Sequence, residues 1–480
     1  MRRTKIICTL GPATSTVDDI AALIRAGMDI ARLNCSHGDA ASITALYRAV
    51  REAAAQAQRN VAVLMDLQGP KIRTGRMRGG QPVELVEGAD VVITTDDADG
   101  DAHRFSTTYE ALPSDVRPGD RILLADGALE LKVRDVRGAE VHCTVVHGGL
   151  LGSSKGINLP GVPVSAPSIT GKDREDLALA LDLGADFVAL SFVRSPDDVR
   201  LIKQCIADAG ADCHVVSKIE RPEALDCFDE IAELTDAVMV ARGDLGVEMP
   251  FDQVPQIQKQ LIRRCNQLGT PVITATQMLE SMIASPRPTR AEANDVANAI
   301  YDGTDAVMLS GETAVGRFPT RTVSVMARIC AESDTAIAAD SERARRPWSA
   351  EGQGSLIGNA IGHAVYHLSE NLDLKRIVVF SQSGFTATKV SRYRPRVPIS
   401  AFTLDVHAQR RCALYWGVNA EQTIELGGID ETIAALDGLL LERGLAEKGD
   451  LIAMVAGSPL ALAGATNLLK LHTVGETESL

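Results

Sequence analysis

Residues 213–221, CHVVSKIER, run apolar and then break into charge. The stretch predicts a short strand, Cys213 to Glu220, and alternate residues of a strand share a face. Lys218 and Glu220 therefore stand side by side at its end, an ammonium next to a metal-type carboxylate. One such pair is ordinarily an ion pair of little consequence. It matters here because other strands of the chain finish in the same way.

Apolar strands are predicted before it at Lys5 to Gly11, Ile30 to Ser36, Val61 to Leu67 and Phe187 to Val193. Others follow at Ala237 to Leu245, Pro271 to Met278 and Ala306 to Thr313. Amphipathic helices fill the gaps, for example Ala41 to Gln58, Asp173 to Leu183 and Pro196 to Ala209. Near-continuous apolar strands alternating with helices mark parallel strands covered on both faces. Eight such units predict a closed (β/α)8 barrel of the TIM type, with its site at the strand C-terminal ends. Those ends offer Thr9; Arg32, Asn34 and Ser36; Asp66; Ser191 and Arg194; Lys218 and Glu220; Arg242 and Asp244; Thr274 and Thr276; Ser310 and Glu312. Any one of these, Ser191 for instance, is an ordinary solvated strand end. Together they predict a polar, charged mouth.

The βα rhythm stops between the third and fourth strands. Short β-like runs at Pro82 to Leu85, Val91 to Thr95, Arg121 to Leu124, Leu129 to Val136 and Val141 to Val146 are punctuated by turn signals such as Gly79-Gly80 and Asp126-Gly127. They predict a small β-barrel lid domain inserted at residues 69–166, within a barrel formed by residues 1–68 and 167–338. Past a polar linker, Asp340 to Gly354, residues 339–480 predict an open α/β domain. Its strands are expected at Arg376 to Phe380, Pro398 to Phe402, Gln422 to Leu426, Asp450 to Val455 and Lys470 to Val474. Hydroxyls and a glycine at Ser381 to Thr388 join strand to helix N-terminus. That arrangement suits a phosphate and equally suits plain helix capping.

A chain of 480 residues needs several domains. Its net charge of -14 argues against a nucleic-acid partner, because phosphate backbones need basic patches. The nine cysteines form no CxxC pair, so neither a disulfide framework nor a zinc site is expected. No signal peptide is evident at Met1 to Lys5, and the apolar stretch Leu451 to Ala465 is too short and broken to span a bilayer. A cytoplasmic protein with no membrane partner is the expectation.

Glu220 and Asp244, from neighbouring strands, are hard oxygen ligands suited to Mg2+ or Mn2+ with open positions for substrate. Arg32, Arg73 and Lys218 add the positive charge that stabilises a moving phosphoryl group. No Walker A run or Rossmann glycine pattern is present. A metal-dependent pyruvate-enolate aldolase on a TIM barrel would use similar carboxylates, but would need neither the β insertion nor the C-terminal loop.

The chain resembles the pyruvate kinases over essentially its whole length. The resemblance lies in TLGPAT (Thr9 to Thr14), RLNCSHG (Arg32 to Gly38), MDLQGPKIRTG (Met65 to Gly75), KGINLPG (Lys155 to Gly161), SKIER (Ser217 to Arg221), ARGDLGVE (Ala241 to Glu248), ATQMLESM (Ala275 to Met282), PRPTRAEANDVANA (Pro286 to Ala299) and MLSGETA (Met308 to Ala314). It implies phosphoryl transfer from phosphoenolpyruvate to ADP, giving pyruvate and ATP. It further implies that Glu220 and Asp244 hold Mg2+, and that Lys218 stabilises the phosphoryl group and the enolate. Arg32 and Arg73 would grip the phosphoryl group. The amides of Gly243 and Asp244 would take the substrate carboxylate. Thr276 would line the face where the enolate is protonated, with Ser310 in the nearby relay. Thr9, Pro12, His37 and Lys155 would contact the nucleotide, and the insertion would close as a lid. A catalytically inactive relative would be expected to lack Lys218, Glu220, Asp244 or Thr276, and all four are present.

The family's monovalent-cation site falls on Asn34, Ser36, Asp66 and Leu67, where Leu67 replaces a common threonine. Lys71 stands where potassium-dependent members carry glutamate, so activity without added K+ is expected. Val315 stands where some members place a lysine near the nucleotide. Ser381, Ser383, Gly384, Phe385 and Thr386 resemble the loop that takes a phosphorylated effector, a sugar phosphate or AMP. A homotetramer is common in the family.

Overall fold

The computed structural model describes residues 2–340, 351, 356–422, 429–457 and 466–476. Eight parallel strands close into a barrel: Lys5–Thr9, Ile30–Asn34, Ala62–Asp66, Phe187–Leu190, His214–Ile219, Ala237–Ala241, Val272–Ala275 and Ala306–Leu309. They are called the first to eighth strands below. Lys5 pairs with Ala306 to seal the ring. The strands read as continuous apolar runs because each is covered twice. Ile7, Leu64, Val216 and Met239 point into the barrel, while Ile6, Val63, Val215 and Val238 pack against the surrounding helices.

Four strands end three or four residues earlier than their apolar patterns predict, at Leu190, Ala241, Ala275 and Leu309. Backbone conformation is the cause. Phe192, Thr276 and Gln277 have φ of 55°, 66° and 54°, which no strand can continue through. The sixth strand turns directly into the helix Arg242–Glu248, and Ser310 caps a single turn, Gly311–Ala314. Asp244 thus sits in the first turn of a helix rather than on a strand.

The insert leaves the barrel after the third strand and returns before the fourth. It is built as a six-stranded sheet and a two-stranded ribbon sharing one apolar core. Three of its strands, Arg104–Ser106, Gly149–Leu151 and Ile157–Asn158, are too short to be seen in the sequence. Glycines mark both crossings. Gly69 has φ 68°, and a Cβ there would lie 2.9 Å from Ser191 Cβ; Gly161 has φ 75°.

The C-terminal sheet runs in the order Val418–Gln422, Ile399–Thr403, Arg376–Phe380, Leu451–Ala456, Leu468–Thr473, with the last strand antiparallel. The strand expected at Gln422 to Leu426 lies four residues earlier, Val418–Gln422. It is an edge strand of alternating polarity, so the apolar run that follows misplaces it. Residues 423–428 lie outside the described residues, as do most of the predicted linker and part of the stretch Leu451 to Ala465.

Candidate active site

The strand-end residues converge on one charged network. Lys218 Nζ lies 2.9 Å from Glu220 Oε1 and 3.2 Å from Asp66 Oδ1, and it donates to Ser191 Oγ at 2.7 Å. Ser191 in turn donates to the Leu67 carbonyl at 2.7 Å. Arg32 reaches the other Asp66 oxygen through Nε at 2.7 Å and places Nη1 2.8 Å from Thr9 Oγ1. The Thr9 hydroxyl itself donates to the Leu309 carbonyl at 2.9 Å. Glu220 Oε2 accepts from the Phe192 amide at 2.7 Å, a bond made possible by the positive φ of Phe192.

Burial alone would push the Asp66 carboxyl up, but Lys218 and Arg32 outweigh it and hold the group below the usual carboxylate range. The Lys218 ammonium is raised: burial opposes the charge, and Asp66 and Glu220 more than restore it. Glu220 differs. Burial, opposed by Lys218 and reinforced by the nearby Asp244 carboxylate, pushes it up to about 7. Glu220 and Asp244 thus gather negative charge in excess of the cation beside them. A hard divalent ion suits such a place, and the donor set fits Mg2+ or Mn2+. Among the described residues no group of three or more His, Cys, Asp and Glu forms a complete metal cage. Water or substrate oxygens would have to complete the coordination.

On the opposite rim, Thr276 Oγ1 accepts from the Gly243 amide at 2.8 Å and donates to the Ala275 carbonyl at 2.6 Å. Arg242 braces this turn through the Thr276 carbonyl and is itself paired with Asp295 at 2.7 Å. Glu312 ties the seventh and eighth strand ends together, accepting from the Ser310 amide at 2.7 Å and the Leu279 amide at 3.1 Å.

The other predicted residues are spread more widely. Thr9 is buried and engaged by Arg32, whereas Pro12, His37 and, on the insert, Lys155 are exposed. Arg73 and Lys71 sit where the lid begins. Burial, then Arg73, Lys71 and Arg32, holds the His37 imidazole below its ordinary value. Thr274 does not join the mouth; its hydroxyl is buried against Thr304. The Asn34 side-chain oxygen is taken by the Ser36 amide, and the Leu67 carbonyl by Ser191. Ser191, an ordinary strand end when taken singly but part of the predicted mouth, is a direct partner of Lys218. Its only signal there was its place at a strand end.

In the C-terminal domain, Ser381 Oγ accepts from the Thr386 amide, and Gly384 with φ 84° starts the helix Phe385–Ser391. Lys389 is buried, its ammonium over the Phe385 ring at 4.7 Å. No helix among the described residues is long and apolar enough to cross a membrane.

The profile of the pyruvate kinase barrel domain matches residues 1–323, and that of the pyruvate kinase alpha/beta domain matches residues 359–472. A pyruvate kinase of Mycobacterium intracellulare is 47% identical over 478 residues, covering 99% of both chains. One of Staphylococcus aureus strain MRSA252 is 46% identical over 481 residues, covering 99% of this chain and 81% of that one. The crystal structure of a pyruvate kinase from Cryptosporidium parvum superposes with a TM-score of 0.89 at 39% identity, covering 98% of this chain and 96% of the other.

Proposed function

The chain belongs to the pyruvate kinase family, and from that premise we propose how its own residues carry the transfer of a phosphoryl group from phosphoenolpyruvate to ADP. The observation that carries this assignment is the network in which one buried ammonium, Lys218, faces Asp66 and Glu220. The aldolase alternative finds no support, since the likeness to pyruvate kinases runs through the lid and the C-terminal domain as well.

Pyruvate kinases work with a divalent metal, and here Glu220 and Asp244 are the ligands proposed for Mg2+ or Mn2+. Bound there, the metal would supply charge neutralisation for the phosphate and carboxylate of the substrate. Lys218, held protonated by two carboxylates, meets the phosphoryl group and the enolate oxygen without having to move. Arg32, fixed by Asp66 and Thr9, points a preset guanidinium at the same group, and Arg73 brings a second one from the lid. The Gly243 and Asp244 amides, at the start of a helix, take the substrate carboxylate. The Gly243 N–H exchanges its bond to Thr276 for that carboxylate, and Thr276 lines the face where the enolate gains its proton. Ser310 belongs to the relay behind it. Pro12, His37 and Lys155 receive the nucleotide, with Thr9 acting through Arg32. The insert, residues 69–166, closes over the barrel and excludes water. A coupled assay for pyruvate from phosphoenolpyruvate plus ADP tests the assignment, and absence of turnover with Mg2+ present would refute it.

Activity without added K+ is part of the same proposal. At three of the four residues of the family's cation site, Asn34, Asp66 and Leu67, a side-chain or carbonyl oxygen already accepts an internal hydrogen bond. Lys71 places an ammonium near the mouth as well. Turnover that appears in K+-free buffer only on adding K+ would remove this proposal. The loop Ser381, Ser383, Gly384, Phe385 and Thr386 is proposed to take a phosphorylated effector, a sugar phosphate or AMP. Its hydroxyls and the helix start support that, whereas Lys389 points inward. A substrate saturation curve that no such phosphate shifts would end the effector proposal. A homotetramer is proposed on family likeness, to be checked by light scattering.

A further inference from the structure

The lid touches the barrel through one buried polar cluster that the phosphoryl chemistry does not use. Arg221 Nη1 lies 3.0 Å from Glu248 Oε2, and both residues are buried. The other Glu248 oxygen accepts from Asn158 Nδ2 at 2.9 Å. Arg221 Nη2 donates to the Val162 carbonyl at 3.1 Å. Asn158 lies on a lid strand that pairs with Leu123, and Val162 lies on the crossing back to the barrel. Arg194 continues the pattern, donating to the Val164 and Ala166 carbonyls. The returning chain is thus held at every second carbonyl by arginines from the ends of two adjacent barrel strands.

The positions of the barrel partners give this cluster its meaning. Arg221 directly follows Glu220, and Glu248 stands four residues after Asp244 on the same short helix. One ion pair therefore spans the two elements that present the proposed metal ligands. A narrow cleft opens beside it, lined by Lys71, Asp126, Asn158, Arg221, Asp244 and Glu248.

We propose that Arg221 and Glu248 are positioning residues that lock the spacing of the two metal-ligand elements and, through Asn158 and Val162, tie the lid to that spacing. Lid angle and ligand register then change together. The nucleotide arm of this inference rests on the reading of lid-borne Lys155 as a nucleotide contact. Asn158→Ala cuts the lid's bond to Glu248 and leaves the ion pair intact. Because Asn158 is only partly buried, the variant keeps its fold, which thermal unfolding checks.

The expected result is a KM for ADP raised roughly tenfold, the loss set by one hydrogen bond to a charged acceptor. The Kd for phosphoenolpyruvate with Mn2+ stays within about twofold, since that pocket lies on the barrel side of the cut. Amides at Ile157 and Asn158 exchange hydrogen faster. Lys155→Met serves as the control. If it raises the KM for ADP and Asn158→Ala does not, the coupling is overturned. If Lys155→Met leaves ADP unaffected, the nucleotide reading fails on its own, and exchange at residues 157–158 then decides: faster supports the latch, unchanged overturns it.

Discussion

Lys218 reaches across the whole of the fourth strand to place its ammonium 3.2 Å from Asp66 Oδ1. Asp66 is almost wholly buried and holds Arg32 on its other oxygen. One carboxylate thus fixes the two cations proposed to meet the same phosphoryl group. Asp66→Asn keeps the shape and removes the charge, leaving two buried cations short of a counterion. Breaking such a pair costs about 3 kcal/mol or more. A lower thermal midpoint together with a large loss of kcat is expected, and a variant with the parent's stability would show that the ion pair holds little.

Lys218→Met should abolish pyruvate formation while circular dichroism and cooperative unfolding persist, because a methionine fills the same slot. The loss expected for one electrostatic contact to a moving phosphoryl group is at least about a hundredfold in kcat. Full activity would refute the role given to this residue.

Thr276→Ser keeps the hydroxyl that accepts from the Gly243 amide and donates to Ala275, so activity should survive. Thr276→Val keeps the shape and loses the hydroxyl. A fall in kcat of roughly a hundredfold with little change in KM for phosphoenolpyruvate is expected. Equal kinetics for the two variants would remove Thr276 from the protonation step.

Burial, helped by Arg392, lowers the Lys389 ammonium from 10.5 to about 7. Between these values the native chain binds fewer protons than the unfolded one, so stability rises with pH across that window and is lowest below it. Lys389→Met should unfold at a higher temperature than the parent near about pH 6, with the gap closing as pH rises toward about 10. Thermal midpoints measured across that range check it; a gap that is constant or opens with pH contradicts the assignment.

The barrel was legible because parallel strands covered on two sides leave long apolar runs, and the side-by-side placement of Lys218 and Glu220 followed from strand geometry alone. Strand ends were not legible, since the turns at Phe192 and Thr276 depend on backbone angles that ordinary residues hide. Three of the lid's shortest strands, Arg104–Ser106, Gly149–Leu151 and Ile157–Asn158, were missed because each is only two or three residues long. Asn158, Arg221 and Glu248 meet only in three dimensions. They lie 63 and 27 residues apart along the chain, and nothing in the local pattern of any one predicts the other two.

The seam between the first and eighth strands also bears on how the chain is made. Lys5 cannot find Ala306, nor Thr4 its bonds to Asp334, until roughly three hundred further residues have left the ribosome, about 15–60 s at ordinary rates of synthesis. The lid, with its own core and nearer partners, has time to fold in that interval. The first three strands instead wait with an open edge. This nascent barrel should therefore be the stretch that chaperones hold longest, and release should coincide with emergence of the eighth strand.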